Sequence, residues 1–140
     1  MQTLKRKREI DYNEALEVEI KLKSVIENQF NIKLNCTHRY HIFDYATETN
    51  EIYVELKNRK CNSNKYPSVL IGQNKIREAE KLKLENKIIY FVFKYLDCIK
   101  YWKFDKIDDS WLGVGYRQDR GIYESSPAVF IPNNILSDFI

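Results

Sequence analysis

The run Lys87-Ile88-Ile89-Tyr90-Phe91-Val92-Phe93-Lys94-Tyr95 sets the strongest limit on what this chain can become. An almost unbroken apolar stretch of this length reads as a strand buried on both faces, and such strands lie inside sheets that carry further layers. The rest of the chain is aromatic enough to supply those layers, with 10 Tyr and 7 Phe against 4 Gly and 3 Pro. At 140 residues it has the size of one compact domain and too little length for two. No apolar run approaches the roughly 20 residues of a membrane span, and the charged start Met1 to Arg8 is not followed by the apolar core of a signal peptide. The expectation is a soluble, intracellular protein.

The periodicities predict an α/β fold with a mixed central β-sheet flanked by helices. Ala15, Val18, Leu22, Val25 and Ile26 recur at helical steps between Asp11 and Gln29, with Asp11 or Asn13 as cap. Phe30 to Leu34, Tyr40 to Thr47 and Ile52 to Lys57 read as three strands, the last two joined as a hairpin by Glu48-Thr49-Asn50-Glu51. A polar loop from Asn58 to Ser68 precedes a second helix carrying Ile71, Ile76, Ala79 and Leu82 and ending near Asn86. After the buried strand come a strand over Ile99 to Phe104, a loop from Asp105 to Ser110 with Gly113 and Gly115, a short strand over Ala128 to Ile131, and a closing helix from Asn133 to Phe139. The domain division is a basic N-terminal arm, residues 1–10, and a single domain, residues 11–140.

Charge is unevenly placed. Residues 51–103 hold twelve lysines and arginines against six acids, while the flanking stretches 11–50 and 104–140 are each net negative. Lys57, Arg59, Lys60, Lys65, Lys75, Arg77, Lys81 and Lys83 can share one surface that attracts polyanions, or form a merely solvated lysine-rich face. The Lys5-Arg6-Lys7-Arg8 run reads as a phosphate-touching arm or a nuclear-localisation-like patch. Cys36, Cys61 and Cys98 are an odd number at wide spacing, with His38 and His41 as the two imidazoles. Cys36, His38 and His41 lack a fourth zinc ligand, so reduced thiols and solvated histidines are expected.

The hairpin concentrates the chemistry. On its second strand Tyr53, Glu55 and Lys57 share one face and Ile52, Val54 and Leu56 the other. A turn near Glu48 to Asn50 brings Asp44 within one or two pairing positions of Glu55, so two carboxylates and an ammonium converge. Two such carboxylates repel, and a hard divalent cation relieves the repulsion. The same pattern also describes an exposed hairpin face that serves solubility and cross-strand pairing.

Phe43-Asp44-Tyr45, the ten residues between Asp44 and Glu55, and Val54-Glu55-Leu56-Lys57 resemble motifs II and III of the PD-(D/E)xK nuclease superfamily, which has the restriction-endonuclease-like fold. Asn58-Arg59 and the stretch Lys65 to Lys75 resemble small viral members of it. Phe43 stands where the motif's name has proline. The resemblance covers residues 11–95 and implies an α-β-β-β-α-β core, with the tail as an embellishment. It implies that Asp44, Glu55 and the Leu56 carbonyl ligate Mg²⁺, or Mn²⁺ as a substitute, and that Lys57 positions or polarises the attacking water. A first-helix glutamate would join them: Glu14 is favoured, with Glu17 and Glu19 competing. Gln73 or Lys75 would face the site from the second helix, and Arg59, Lys60, Lys65, Gln73 and Lys75 would bind nucleic acid. Tyr66, Tyr101 and Trp102 would touch sugar or bases, or serve only in packing. The expected activity is Mg²⁺-dependent endonucleolytic hydrolysis of phosphodiesters, in DNA rather than RNA, by a protein of the nucleus or a viral factory. A homodimer would supply the second active site needed to cut both strands at once. The competing expectation is an inactive nuclease-fold protein that binds nucleic acid or a protein partner.

Overall fold

The computed structural model describes residues 4–38, 40–117 and 124–140. In chain order the elements are helix α1 (Leu4–Phe30), strands β1 (Asn35–Cys36), β2 (Tyr45–Ala46), β3 (Ile52–Asn58) and β4 (Ser68–Gly72), helix α2 (Gln73–Leu84), and strands β5 (Ile88–Lys94), β6 (Ile99–Lys103), β7 (Leu112–Arg117), β8 (Glu124–Pro132) and β9 (Ser137–Asp138). They fall into two compact units, a helical one ending at Leu34 and a larger one, Asn35–Ile140.

In the first unit α1 buries Leu22 and Ile26, four residues apart, while Val25 is exposed. It starts at Leu4, so the basic run Lys5 to Arg8 and both expected caps, Asp11 and Asn13, are helical. The strand expected over Phe30 to Leu34 is absent. Asn31 adopts the left-handed conformation (φ 53°) that closes a helix, and the Ile32 amide donates to the Glu27 carbonyl at 3.1 Å. Glu27 also reaches past the end to accept from the Leu34 amide at 2.8 Å. Local capping thus overrides an alternation that taken alone suits a strand.

The larger unit is a mixed α/β fold with two sheets rather than the one expected. Six strands run in the order β1-β2-β3-β5-β6-β9, and β4-β8-β7 form a separate antiparallel sheet. β3 and β5 are parallel, from Ile52 opposite Ile88 to Asn58 opposite Lys94, and β4 and α2 lie in the crossover between them. α2 closes with its Asn86 and Lys87 amides on the Lys83 and Leu82 carbonyls, Asn86 being left-handed (φ 62°), and the chain turns directly into β5. β5 is buried on both faces: Ile89, Phe91 and Phe93 point into the main core, and Val92 on the opposite side is equally covered. The Phe91 ring meets Phe43 at 6.0 Å, Trp102 at 5.7 Å and Phe104 at 6.4 Å. Trp102 is therefore a core side chain and not a nucleic-acid contact.

Four further expectations are corrected. The strand read over Tyr40 to Thr47 shrinks to two residues, because the chain ahead of it is held by side chains instead of a ladder. Ile71 belongs to β4, not to the second helix, which starts two residues later. The stretch with Gly113 and Gly115 is strand β7: a β-carbon at either position would lie 2.6 Å from the Phe130 ring or 2.8 Å from the Leu70 side chain, so glycine here admits close neighbours. The C-terminal helix is replaced by a 3₁₀ turn over Asn133–Ile135 and by β9, which pairs Asp138 with Lys100 through a 3.0 Å ion pair. Asn133 spends its side chain on the Ser63 and Tyr66 carbonyls, which fixes the chain in a turn.

Because Phe91 joins three rings with no exposure, Phe91→Ala should lower stability by about 3–5 kcal/mol. Urea unfolding measures it, and a loss under about 1 kcal/mol would mean that this cluster does not organise the core.

Candidate active site

The hairpin register sets the site. Tyr45 pairs with Val54 and Ala46 with Tyr53, so Asp44, one step beyond β2, falls opposite Glu55. The turn that fixes this register is tight: the Thr47 amide donates to the Ile52 carbonyl at 3.0 Å, the Asn50 amide to the Thr47 carbonyl at 2.9 Å, and Asn50 is left-handed (φ 57°). Thr47 Oγ1 accepts from the Ile52 amide at 3.2 Å.

Asp44 is aimed by its neighbours on both sides. Phe43 before it is fully buried and packs on Tyr53 and Phe91, so the residue standing in the motif's proline position anchors the carboxylate's backbone. Thr37 donates its amide to the Asp44 carbonyl at 3.1 Å, and its hydroxyl bonds the Phe43 and Asp44 carbonyls. The Phe43 amide donates to His41 Nδ1 at 3.0 Å, and the Tyr40 amide to His38 Nδ1 at 3.2 Å, so both histidines shape this loop. Across the hairpin, Asp44 Oδ2 accepts from the Leu56 amide at 2.8 Å. The polar stretch before the hairpin offers no periodic signal for Thr37, which only its place beside Asp44 reveals.

Glu55 lies in mid-strand, opposite Phe91 of β5, and is 2% exposed, the buried charged residue among those described. Its Oε2 forms an ion pair with the Lys75 ammonium and accepts no well-aligned hydrogen bond. Lys75 comes from the first turn of α2 and also donates to the Ile42 carbonyl at 3.1 Å. Of the two second-helix residues expected to face the site, Lys75 does so; the Gln73 side chain instead accepts from Arg77 at 3.4 Å. Lys57 is half-buried on the same face of β3 as Glu55 and near enough to act electrostatically on Asp44. Arg59 donates to the Leu70 carbonyl at 2.8 Å, and Lys60 and Lys65 are exposed. Glu14, Glu17 and Glu19 are exposed on α1, in the helical unit.

Burial pushes the Asp44 carboxyl above its ordinary value of 3.8, against the opposing pull of the Leu56 amide, Lys75 and Lys57. Burial likewise lowers Lys75, and the Asp44 charge resists that. Chemically, two acid side chains on opposing strands offer hard oxygen donors. No cluster of three or more His, Cys, Asp or Glu able to hold a metal occurs among the described residues. A two-carboxylate set suits Mg²⁺, which keeps several waters and is held by one or two carboxylates together with substrate phosphates. The buried Glu55 oxygen, whose charge is met by an ammonium alone, fits that cation.

A mixed sheet whose hairpin sets an aspartate against a glutamate, with a lysine two residues on, defines a restriction-endonuclease-like α/β protein. The model of the family described as "Phage putative PDDEXK endonuclease" matches residues 6–139, and the chain belongs to that family. The match takes in the tail, beyond the residues 11–95 of the sequence resemblance. No curated protein and no solved structure matches. No helix among the described residues is long and apolar enough to cross a membrane.

The raised Asp44 pKa has a definite sign in stability. The folded state holds the proton more tightly than the unfolded chain, so stability falls as pH rises from 3.8 through the folded pKa and the loss is complete above it. Asp44→Asn lacks this titration. Its stability relative to the native protein, both metal-free, should therefore increase from about pH 3 to pH 7, read from urea midpoints at each pH. A difference that shrinks over that range contradicts the burial argument.

Proposed function

We propose that the protein is a Mg²⁺-dependent endonuclease that hydrolyses phosphodiester bonds in DNA. The observation that carries the reading is the opposition of Asp44 and Glu55 across a tightly turned hairpin, with a cation already drawn to the buried glutamate. In this reading Asp44 and Glu55, with the Leu56 carbonyl, hold Mg²⁺ or Mn²⁺. The ion supplies a Lewis acid for the scissile phosphate and a lowered pKa for water.

The chain's own groups supply the rest. Glu55, fixed in a central strand, and Asp44, held by the Leu56 amide, keep their oxygens in place, so little reorganisation accompanies binding. Lys57 orients the attacking water and offsets negative charge that develops on the phosphoryl oxygens. Lys75 neutralises Glu55 and exchanges that contact for a substrate phosphate. Glu14 is the first-helix acid of the proposal, with Glu17 and Glu19 as competitors. Arg59, Lys60, Lys65, Gln73 and Lys75 bind the nucleic acid. With one such site per chain, duplex cleavage takes a homodimer or two successive visits.

Metal binding is the first test. At a hundred times the dissociation constant Mg²⁺ should stabilise the protein by about 2.7 kcal/mol, and Asp44→Ala should remove that gain in a thermal melt. Calorimetry showing no divalent binding at millimolar concentration overturns the metal assignment.

Lysine roles separate in cleavage assays. Lys57→Ala should keep metal and DNA binding and lose several powers of ten in rate, since its charge is used as the transition state forms. Lys57→Arg should be nearly as poor, its longer planar group being a bad substitute for a compact ammonium. Cleavage by Lys57→Ala at the native rate overturns this mechanism. Salt-sensitive binding without cleavage of any DNA or RNA by the native protein assigns the chain to the non-catalytic alternative.

A further inference from the structure

Apart from the carboxylate pair, the larger unit contains a cavity of about 260 Å³ at the carboxyl end of the parallel pair β3 and β5. Arg59, just past β3, and Tyr95, just past β5, line it together with Val69, Leu70 and Phe130, and Tyr66 stands at its rim with an exposed ring. The volume lies near the lower end of ligand pockets, about 300 Å³, which suits one small ring system.

The chemistry of the walls narrows the occupant. They are mostly aromatic and aliphatic, and a lone cation interrupts them. The Arg59 guanidinium gives Nη2 to the Leu70 carbonyl, while its Nε is buried without a hydrogen-bond partner and no carboxylate pairs with it among the described residues. A phosphate would want several donors and little apolar surface. A flat ring with apolar faces and a polar edge meets all the walls at once. Two exposed cations flank lining residues in the chain: Lys60 lies between Arg59 and Cys61, and Lys65 precedes Tyr66, with its ammonium 5.4 Å from the centre of that ring.

The wall is also built in advance. Ser63 binds both oxygens of Asp97 at 2.8 Å, through its amide and its hydroxyl. Asn133 ties the same loop from the far end of the chain, its amide on the Pro67 carbonyl at 3.0 Å and its side chain on the Ser63 carbonyl at 3.1 Å. A loop held from two sides does not need ordering when a ligand arrives, which lowers the entropic cost of binding.

We infer that this cavity receives one unpaired nucleobase of the substrate, its ring against the aromatic walls and its polar edge on Arg59, while Lys60 and Lys65 hold the flanking phosphates. The inference rests on the nucleic-acid reading of the protein and specifies how the strand is gripped. Glu55, Lys57 and Arg59 follow one another on the same face of the chain, about 13 Å from first to last at strand spacing, so the base would sit a short way along the strand from the bond being cut.

The test compares two fluorescent single strands of equal length and charge, a thymidine oligomer and a fully abasic one, by anisotropy with the full chain and EDTA. The native protein should bind the thymidine oligomer about tenfold more tightly, the usual scale of one stacked base. Tyr66→Ala, at an exposed ring, and Asn62→Trp, which crowds the mouth, should bring the ratio near one by weakening the thymidine oligomer more than the abasic strand. Cys61 lines the cavity, so the thymidine oligomer, and not the abasic one, should protect it from iodoacetamide in the native protein, read by peptide mass spectrometry. A native ratio near one, or equal protection by both strands, overturns the inference. Mg²⁺-dependent cleavage alongside a ratio of one would refute the pocket and leave the nuclease reading standing; a tenfold ratio with no cleavage would do the reverse.

Discussion

A carboxylate kept at 2% exposure in the middle of a sheet dictates much of the structure around it. Glu55 can stay ionised there only beside positive charge, and its partner, Lys75, arrives from a helix that starts 18 residues later. The crossover from β3 through β4 into α2 therefore has to return the first turn of that helix to the strand it left. Stripping the ammonium away would leave a buried charge alone, at a cost of order 3–5 kcal/mol, a large share of a small domain's total stability. The hairpin register answers to the same carboxylate from the other side, because a slip by one residue would turn Asp44 away from Glu55.

Much of this was readable from local pattern. The unbroken apolar run became β5, the alternating Ile52 to Lys57 became β3, and the turn fell where Glu48 to Asn50 placed it. Asp44 and Glu55 could be brought together from spacing alone, since a hairpin converts sequence distance into register. What failed were stretches where a side chain or a distant strand decides. Phe30 to Leu34 alternates like a strand, yet Asn31 and Glu27 close a helix there. Gly113 and Gly115 look like loop residues, and nothing nearby announces that Phe130 and Leu70 will pack across them. The choice between Gln73 and Lys75 depended on which side of α2 meets β3, a tertiary fact that a single charged turn does not disclose.

The site's electrostatics are unrelaxed in the protein by itself. Burial works against the charged forms of both Asp44 and Lys75, and the two ions offset only part of that cost for each other. Such an arrangement weakens the fold and strengthens the attraction for any outside charge that completes the set, a common trade at functional sites.

The six-stranded sheet ends on each side in a strand of two residues, β1 at one edge and β9 at the other. Unsatisfied amides and carbonyls along a long, flat border invite another chain to add itself, and a border this short offers almost nothing to pair with. The acidic Asp138 of β9, salt-bridged to Lys100 of β6, further marks that side with charge. Stacking of copies through backbone ladders at these two borders is thereby discouraged in a protein otherwise rich in apolar strands.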